Sequence, residues 1–174
     1  MPLSLHDALI PSWLQILGAL DRLIDKADAF CTESNLAPET IIDARLADDM
    51  LPFAYQVKSA AVHSLGAIEG VRSGTFAPDF TEPPASFAAM KVRIAETVKA
   101  LEAIDPAEME GFIGKPVVFA IGERRMPFTS DVFLLSFSQP NFYFHATAAY
   151  AILRHKGIAI GKRDYMGQMR IAQS

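Results

Sequence analysis

Two pairs of polar side chains occur at helical spacing within mainly apolar segments of the sequence. Asn141 and His145 are four residues apart, so on a helix they lie one turn apart and point the same way. Gln56 and His63 are seven residues apart, which is two turns, so they also share a face. An imidazole can accept a proton or bind zinc, nickel or iron, whereas an amide is mainly a hydrogen-bonding group. If the two faces meet, the sequence predicts a polar site for a ligand.

The main prediction is a small-molecule pocket in the protein core with no tightly bound metal and no other cofactor. Its candidate residues are His145, Asn141, Gln56 and His63. Asn141 and Gln56 would supply paired hydrogen-bond donors and acceptors, and His145 a group that can change its protonation state. A catalytic zinc site normally has three His or carboxylate ligands and an open position. Only His145 and His63 suit that role, so a tightly held metal is not expected.

Other readings of the same residues stay open. The first alternative is a divalent-metal enzyme in which His145 and His63 hold zinc, nickel or iron and water is activated at an open position. The second alternative is a structural or interaction protein, with its apolar surplus buried in a dimer interface. Under that reading His63 is a hydrogen-bonded core histidine, and Asn141 binds backbone groups at the helix start after Pro140.

Motifs for several other catalytic classes are absent from the sequence. It contains no Gly-x-Ser-x-Gly, no Cys–His arrangement with a local signature and no glycine-rich phosphate loop. Asp48 and Asp49 form an acidic pair at a predicted helix start, where capping explains them without catalysis. Cys31 is the only cysteine, so the chain cannot form an intrachain disulfide. Nucleophilic catalysis therefore finds no support.

Composition limits the partners that we expect. The 174 residues suit one domain over residues 1–174. The 51% hydrophobic content with 21% charge indicates that part of the apolar surface is buried in a homodimer. The net charge of −4 argues against a nucleic-acid partner, which would require clustered Lys and Arg. No apolar run reaches the ~20 residues that span a bilayer, and the N-terminus has no basic region typical of a signal peptide. We expect a cytoplasmic protein with no membrane partner.

Four segments have the periodicity of buried or amphipathic helices. They cover about residues 4–30, 49–70, 81–105 and 139–157. The last begins beside Pro140 and ends at Gly157, which are common residues at those two positions. Pro140 also follows a short helical segment, 131–137, and we expect the helix to bend or restart there because proline clashes with the carbonyl four residues earlier.

The connections between these helices differ in character. Residues 32–47 form a polar connector that contains Pro38, and residues 72–84 form a long crossover rich in Gly, Pro, Ser and Asp. Residues 115–121 and 124–128 change to strand-like patterns on either side of Gly122, which predicts a small β-hairpin. The predicted fold is all-α with a minor β-hairpin: a four-helix bundle with a long crossover between helices 2 and 3.

Two segments of the sequence resemble the signatures of a bacterial family of unknown function in the DinB-like superfamily. The first is C-terminal: PNFYFH (140–145), AYAILRHKG (149–157) and IGKRDY (160–165). The second is RLADDM (45–50) with Pro52 and Gln56. The resemblance covers essentially the whole chain. It implies a DinB-like four-helix bundle, which is often dimeric.

The same resemblance bears on the candidate site. Better-known branches of the superfamily include metal-dependent thiol transferases and a thiol-dependent isomerase, which hold a divalent metal with one His of the second helix and a His-x-x-x-His pair on the last. When aligned by Arg154 and Gly157, His145 matches the second member of that pair and Asn141 replaces the first. The ligand of the second helix falls near Gln56 or His63, and the sequence does not choose between them.

Overall fold

The computed structural model describes residues 3–172, and four long helical segments supply most of its buried core. In chain order the elements are α1 (Leu5–Glu33), α2 (Glu39–Ile42), α3 (Phe53–Ala61), α4 (Ala67–Ser73), β1 (Thr75–Phe76), α5 (Phe87–Glu102), α6 (Pro106–Glu110), β2 (Pro116–Ile121), β3 (Arg124–Thr129), α7 (Ser130–Val132), α8 (Gln139–His155) and α9 (Lys162–Met166). The bundle consists of α1, the continuous pair α3 and α4, α5, and the continuous pair α7 and α8. The predicted four-helix bundle with a small β element is therefore confirmed.

The first helix shows why these segments are helical. The Ser4 hydroxyl accepts a hydrogen bond from the backbone N–H of Asp7 at 3.0 Å, which caps α1. Apolar side chains at three- and four-residue spacing, including Trp13, Leu17 and Ile24, are fully buried. The helix continues through Pro11 and ends at Glu33, slightly beyond the predicted end. Along the residues described, no helix combines the length and apolarity needed to cross a membrane.

Two short π-helical turns interrupt the α-helical hydrogen bonding of the bundle. One, Val62–Gly66, joins α3 to α4, and the other, Phe133–Ser138, joins α7 to α8. The second turn lies directly before Pro140, the second residue of α8, which has no N–H with which to continue the α-helical hydrogen bonding. The predicted bend or restart at Pro140 is therefore a π turn in a continuous helix. Such turns are frequent near functional sites.

The structure corrects three of the predicted connections. The connector after α1 contains α2, whose Ile41 and Ile42 are buried rather than solvated. The crossover contains β1, which pairs in parallel with β2 and extends the predicted hairpin to a three-stranded sheet of order β1-β2-β3. Asp105 caps α6 instead of simply ending the third bundle helix. Two-residue strands and one-turn helices are too short to show a period, so the sequence pattern missed them.

A buried lysine holds the crossover loop against the bundle. Lys58, on α3, is 1% exposed, and its ammonium group donates to the backbone carbonyls of Asp79 and Thr81. The ammonium also lies 3.0 Å from the Asp79 carboxylate. Burial by itself raises the pKa of Asp79, but hydrogen bonds from Thr81 and the ion pair with Lys58 outweigh it and lower that pKa to about 2. The loop carboxylate is therefore ionised, and the buried ammonium has three oxygen partners.

We expect Gly70→Ala to destabilise the protein by about 1–3 kcal/mol, the usual cost of overpacking. A Cβ at Gly70 would lie 2.8 Å from the Cβ and 3.3 Å from the Cα of Phe76, so α4 and β1 would have to separate. Urea denaturation measures the effect, with Gly18→Ala as the control. A Cβ at Gly18 meets only the tip of Arg22, at 3.8 Å, so that change should stabilise α1 by up to ~1 kcal/mol. Equal stabilisation by both changes would contradict the close contact.

Candidate functional site

The amide of Gln56 and the imidazole of His145 join α3 to α8. Gln56 is almost fully buried, and its amide nitrogen donates to the backbone carbonyl of Leu51 at 2.8 Å. Its amide oxygen therefore faces Nδ1 of His145, at 2.7 Å. Because an amide oxygen can only accept, Nδ1 of His145 must carry the proton, and Nε2 keeps a free lone pair. One hydrogen bond thus assigns both the tautomer and the orientation of this imidazole.

The imidazole of His63, which follows α3, lies beside the imidazole of His145. The two rings are nearly parallel, with an interplanar angle of 13° and centroids 5.5 Å apart. The π turn between α3 and α4 carries His63, and the buried Ser138 hydroxyl donates to the His63 backbone carbonyl at 3.0 Å. The same hydroxyl lies 3.5 Å from Nδ1 of His63. The two π turns of the bundle therefore contact each other where the histidines meet.

Both candidate residues of the second bundle helix thus lie next to His145. Gln56 contacts it by the hydrogen bond and His63 by the parallel rings. We call Gln56, His63 and His145 the histidine–amide group. Asn141 differs: its amide nitrogen donates to the backbone carbonyl of Phe137 at 2.7 Å, as expected for a residue that satisfies backbone groups near a proline. Within the described residues, no hydrogen bond joins Asn141 to the histidine–amide group.

Burial keeps both histidines neutral. Desolvation lowers the pKa of His145 to about 4, and desolvation with a smaller contribution from the charge of His145 lowers the pKa of His63 to about 4. Aromatic rings surround the pair: Phe76 and Phe137 pack on His63, with centroids at 5.5 and 6.0 Å, and Tyr55 lies edge-on to His145. At neutral pH the group therefore offers uncharged imidazoles in an apolar setting rather than a cationic site.

The site has too few metal ligands to hold an ion tightly. Among residues 3–172, no three His, Cys, Asp or Glu side chains lie together in a way that could hold an ion. His63 and His145 supply two nitrogen ligands, where a catalytic zinc takes three protein ligands. Amide oxygens are weak metal ligands, and the amide oxygen of Gln56 already accepts the hydrogen bond from His145. The residues present therefore do not fit the three-ligand metal centre.

Sequence reasoning missed two contributors to the group. Ser138 is fully buried and contacts His63, and it lies seven residues before His145, the same two-turn spacing that singled out Gln56 and His63. That spacing could have identified Ser138. The carbonyl of Leu51, which orients Gln56, has no signal in the sequence because every residue carries a carbonyl.

Comparisons with known proteins agree with this architecture. A family model described as "Domain of unknown function (DUF1993)" matches residues 5–166. The chain is also similar to a DinB family member protein from Shewanella denitrificans, whose crystal structure was determined at 1.83 Å resolution. The TM-score is 0.82 and the sequence identity 26%, and the match covers 98% of this chain and 96% of that chain. No curated protein matches the sequence.

The resemblance inferred from the two sequence signatures is thereby confirmed. The family model covers far more than half of the chain, and the solved relative shares its fold over nearly the full length of both proteins. The protein belongs to the DUF1993 family, a family of unknown function within the DinB-like superfamily of four-helix bundles.

Proposed function

We propose that this protein binds a small molecule at the histidine–amide group and does so without a tightly held metal. The observation that supports this most directly is the hydrogen bond from Nδ1 of His145 to Gln56, at 2.7 Å. In this bond the single N–H group of the neutral imidazole donates to the protein itself, so Nε2 remains as a hydrogen-bond acceptor for a ligand. Both histidines are half-buried rather than sealed in the core, so solvent reaches the group.

The chemistry of the group indicates the kind of ligand. Two neutral imidazoles with pKa values of about 4 accept hydrogen bonds at neutral pH but carry no charge to attract an anion. The rings of Phe76, Phe137 and Tyr55 provide apolar contact beside them. An uncharged ligand with a hydroxyl or N–H donor and an apolar part suits this surface best.

The second candidate is a weakly held divalent metal between His63 and His145. A metal-bound histidine commonly donates its other ring N–H to a carbonyl or carboxylate oxygen, which is how His145 is held by Gln56. This arrangement would leave Nε2 of His145 for the ion. Zinc, nickel and iron all accept imidazole ligands. With two protein ligands rather than three, such an ion would exchange readily with solvent.

The formation of a homodimer, which the apolar composition of the sequence favours, also stays a prediction.

Replacing Gln56 tests the main proposal. In the native protein, long-range proton–nitrogen NMR spectra should show His145 as the Nδ1–H tautomer. Gln56→Met keeps the volume but removes the acceptor, so we expect a mixture of tautomers and at least a tenfold loss of affinity for compounds that shift the His145 signals. A fragment library of neutral hydroxyl and amine donors supplies the probes. His155→Gln is the matched control, because His155 is exposed at the end of α8.

Metal analysis separates the two candidates. Protein purified without a nickel column should contain no stoichiometric zinc, nickel or iron, before or after incubation with each ion. A stoichiometric metal that persists in His155→Ala and disappears in His145→Ala would replace the main proposal with the second candidate. If no fragment shifts the signals of His63 and His145 together and no metal binds, both candidates fail.

A further inference from the structure

A cleft of about 610 Å³ lies beside the π turn that joins α3 to α4. It lies among the second bundle helix, α5 and β1, and its volume is within the range of small-molecule sites. Its lining includes Val62 and Gly66 of the π turn, Glu69 of α4, Phe76 of β1, and Arg93 and Glu96 of α5. No member of the histidine–amide group lines it. The cleft therefore holds a different set of polar side chains from the histidine–amide group, and Phe76 lies between the two.

The charged side chains of the cleft have unused bonding capacity. The Arg93 guanidinium, which can donate five hydrogen bonds, makes one long contact of 3.4 Å to Asp79, and its Nε has no partner within the described residues. Glu69 and Glu96 are exposed, and neither forms an ion pair within 4.0 Å with a described residue. Asp79 is already bound by Lys58. A guanidinium and two carboxylates thus face one cleft without strong partners.

We propose that this cleft binds a small zwitterion, namely an α-amino acid with an apolar side chain. Arg93 holds the ligand carboxylate, since a guanidinium matches a carboxylate with two parallel hydrogen bonds. Glu69 and Glu96 hold the ligand ammonium group. The apolar lining contributed by Val62, Leu65 and Phe76 contacts the ligand side chain.

The charge balance of the lining narrows the ligand class further. Three carboxylates, Glu69, Asp79 and Glu96, line the cleft with one guanidinium, so a ligand with a net negative charge is repelled. A simple amine lacks the carboxylate that Arg93 would bind. A zwitterion satisfies both signs at once, which neither of the simpler ions does.

Titration of the intact protein with each of the twenty amino acids, followed by backbone amide NMR, tests this proposal. We expect at least one apolar amino acid to shift the amides around the cleft at millimolar concentration. For leucine, the matched analogues are 3-methylbutylamine, which lacks the carboxylate, and 4-methylpentanoate, which lacks the amine. Each analogue should bind at least tenfold more weakly than leucine, because each loses a charge-assisted hydrogen bond.

Variants locate the binding. Arg93→Gln and Glu96→Gln should each weaken it at least tenfold, whereas Lys99→Gln and Glu102→Gln, which change exposed charges of α5 outside the cleft, should leave it unchanged. Gly66→Leu should abolish it, because a Cβ at Gly66 meets only Val62, at 3.7 Å, and a larger side chain fills the cleft.

Three results would overturn the proposal. The first is that no amino acid shifts the cleft amides at millimolar concentration. The second is that 3-methylbutylamine binds as tightly as leucine, which would show that Arg93 does not bind the ligand carboxylate. The third is unchanged binding in Gly66→Leu, which would place the ligand elsewhere. If Arg93→Gln fails to fold, Glu96→Gln and Gly66→Leu still decide. The His145 signals report the histidine–amide group separately, so failure of one site is distinguishable from failure of the other.

Discussion

Lowering the pH from about 7 to about 5 is expected to reduce the free energy of unfolding by about 1–2 kcal/mol for each of His63 and His145. Both have a pKa of about 4 in the folded protein, below the ordinary histidine value of about 6.5. Between these values the unfolded chain binds protons that the folded protein does not. Stability is therefore fully present above about pH 6.5 and is lost progressively as the pH falls towards 4.

Urea denaturation between pH 5 and pH 8 measures this dependence. His63→Gln and His145→Gln should each remove about half of the slope, and the double variant should be nearly flat in this range. His155→Gln is the control, because His155 is exposed and should leave the slope unchanged. A native protein equally stable at pH 5 and pH 7 would show that the two imidazoles are not kept neutral by burial.

Lys58→Met is expected to destabilise the protein by about 2–4 kcal/mol, close to the cost of breaking a buried ion pair. Methionine fits a similar volume but cannot donate, so the carbonyls of Asp79 and Thr81 and the Asp79 carboxylate all lose their shared donor. Water can reach Asp79, whose side chain is 25% exposed, which keeps the cost below the upper limit. The crossover loop should also become a site of early proteolysis.

Two variants control this experiment. Lys91→Met removes a lysine that pairs with Asp21 and Asp25 at the surface, and should cost less than ~1 kcal/mol. Asp79→Asn leaves Lys58 its two carbonyl partners and should cost less than Lys58→Met. If Lys58→Met and Lys91→Met prove equally mild in urea denaturation, Lys58 does not anchor the loop.

Much of the fold could be predicted from the sequence because its long helices bury regular apolar stripes. The stripe through Trp13, Leu17 and Ile24 predicts a buried helix face, and that face is buried. The change to strand-like spacing around Gly122 likewise predicts the hairpin of β2 and β3. The sequence pattern missed β1 and the anchoring role of Lys58, since both depend on contacts between segments distant in the chain.

The candidate site was predictable only in part. Helical spacing indicated that Gln56 and His63 share a face, and that Asn141 and His145 share another. It could not determine which side chains meet, because that depends on how α3 and α8 slide and rotate against each other. It also could not show that Asn141 satisfies a backbone carbonyl instead of the histidine–amide group. Short side chains next to proline often have a local partner that outweighs a distant one.

The π turn at Val62–Gly66 also sets the angular relation between the two halves of its helix. An α-helix rotates about 100° per residue, so one residue more or less within this turn would rotate α4 about the helix axis relative to α3 by roughly that angle. Deleting a single residue there would leave Gln56 on its present face while turning Glu69 and Gly70 away from α5 and β1. The number of residues in the π turn therefore determines which side chains of α4 face α5 and β1, while α3 keeps Gln56 directed towards α8.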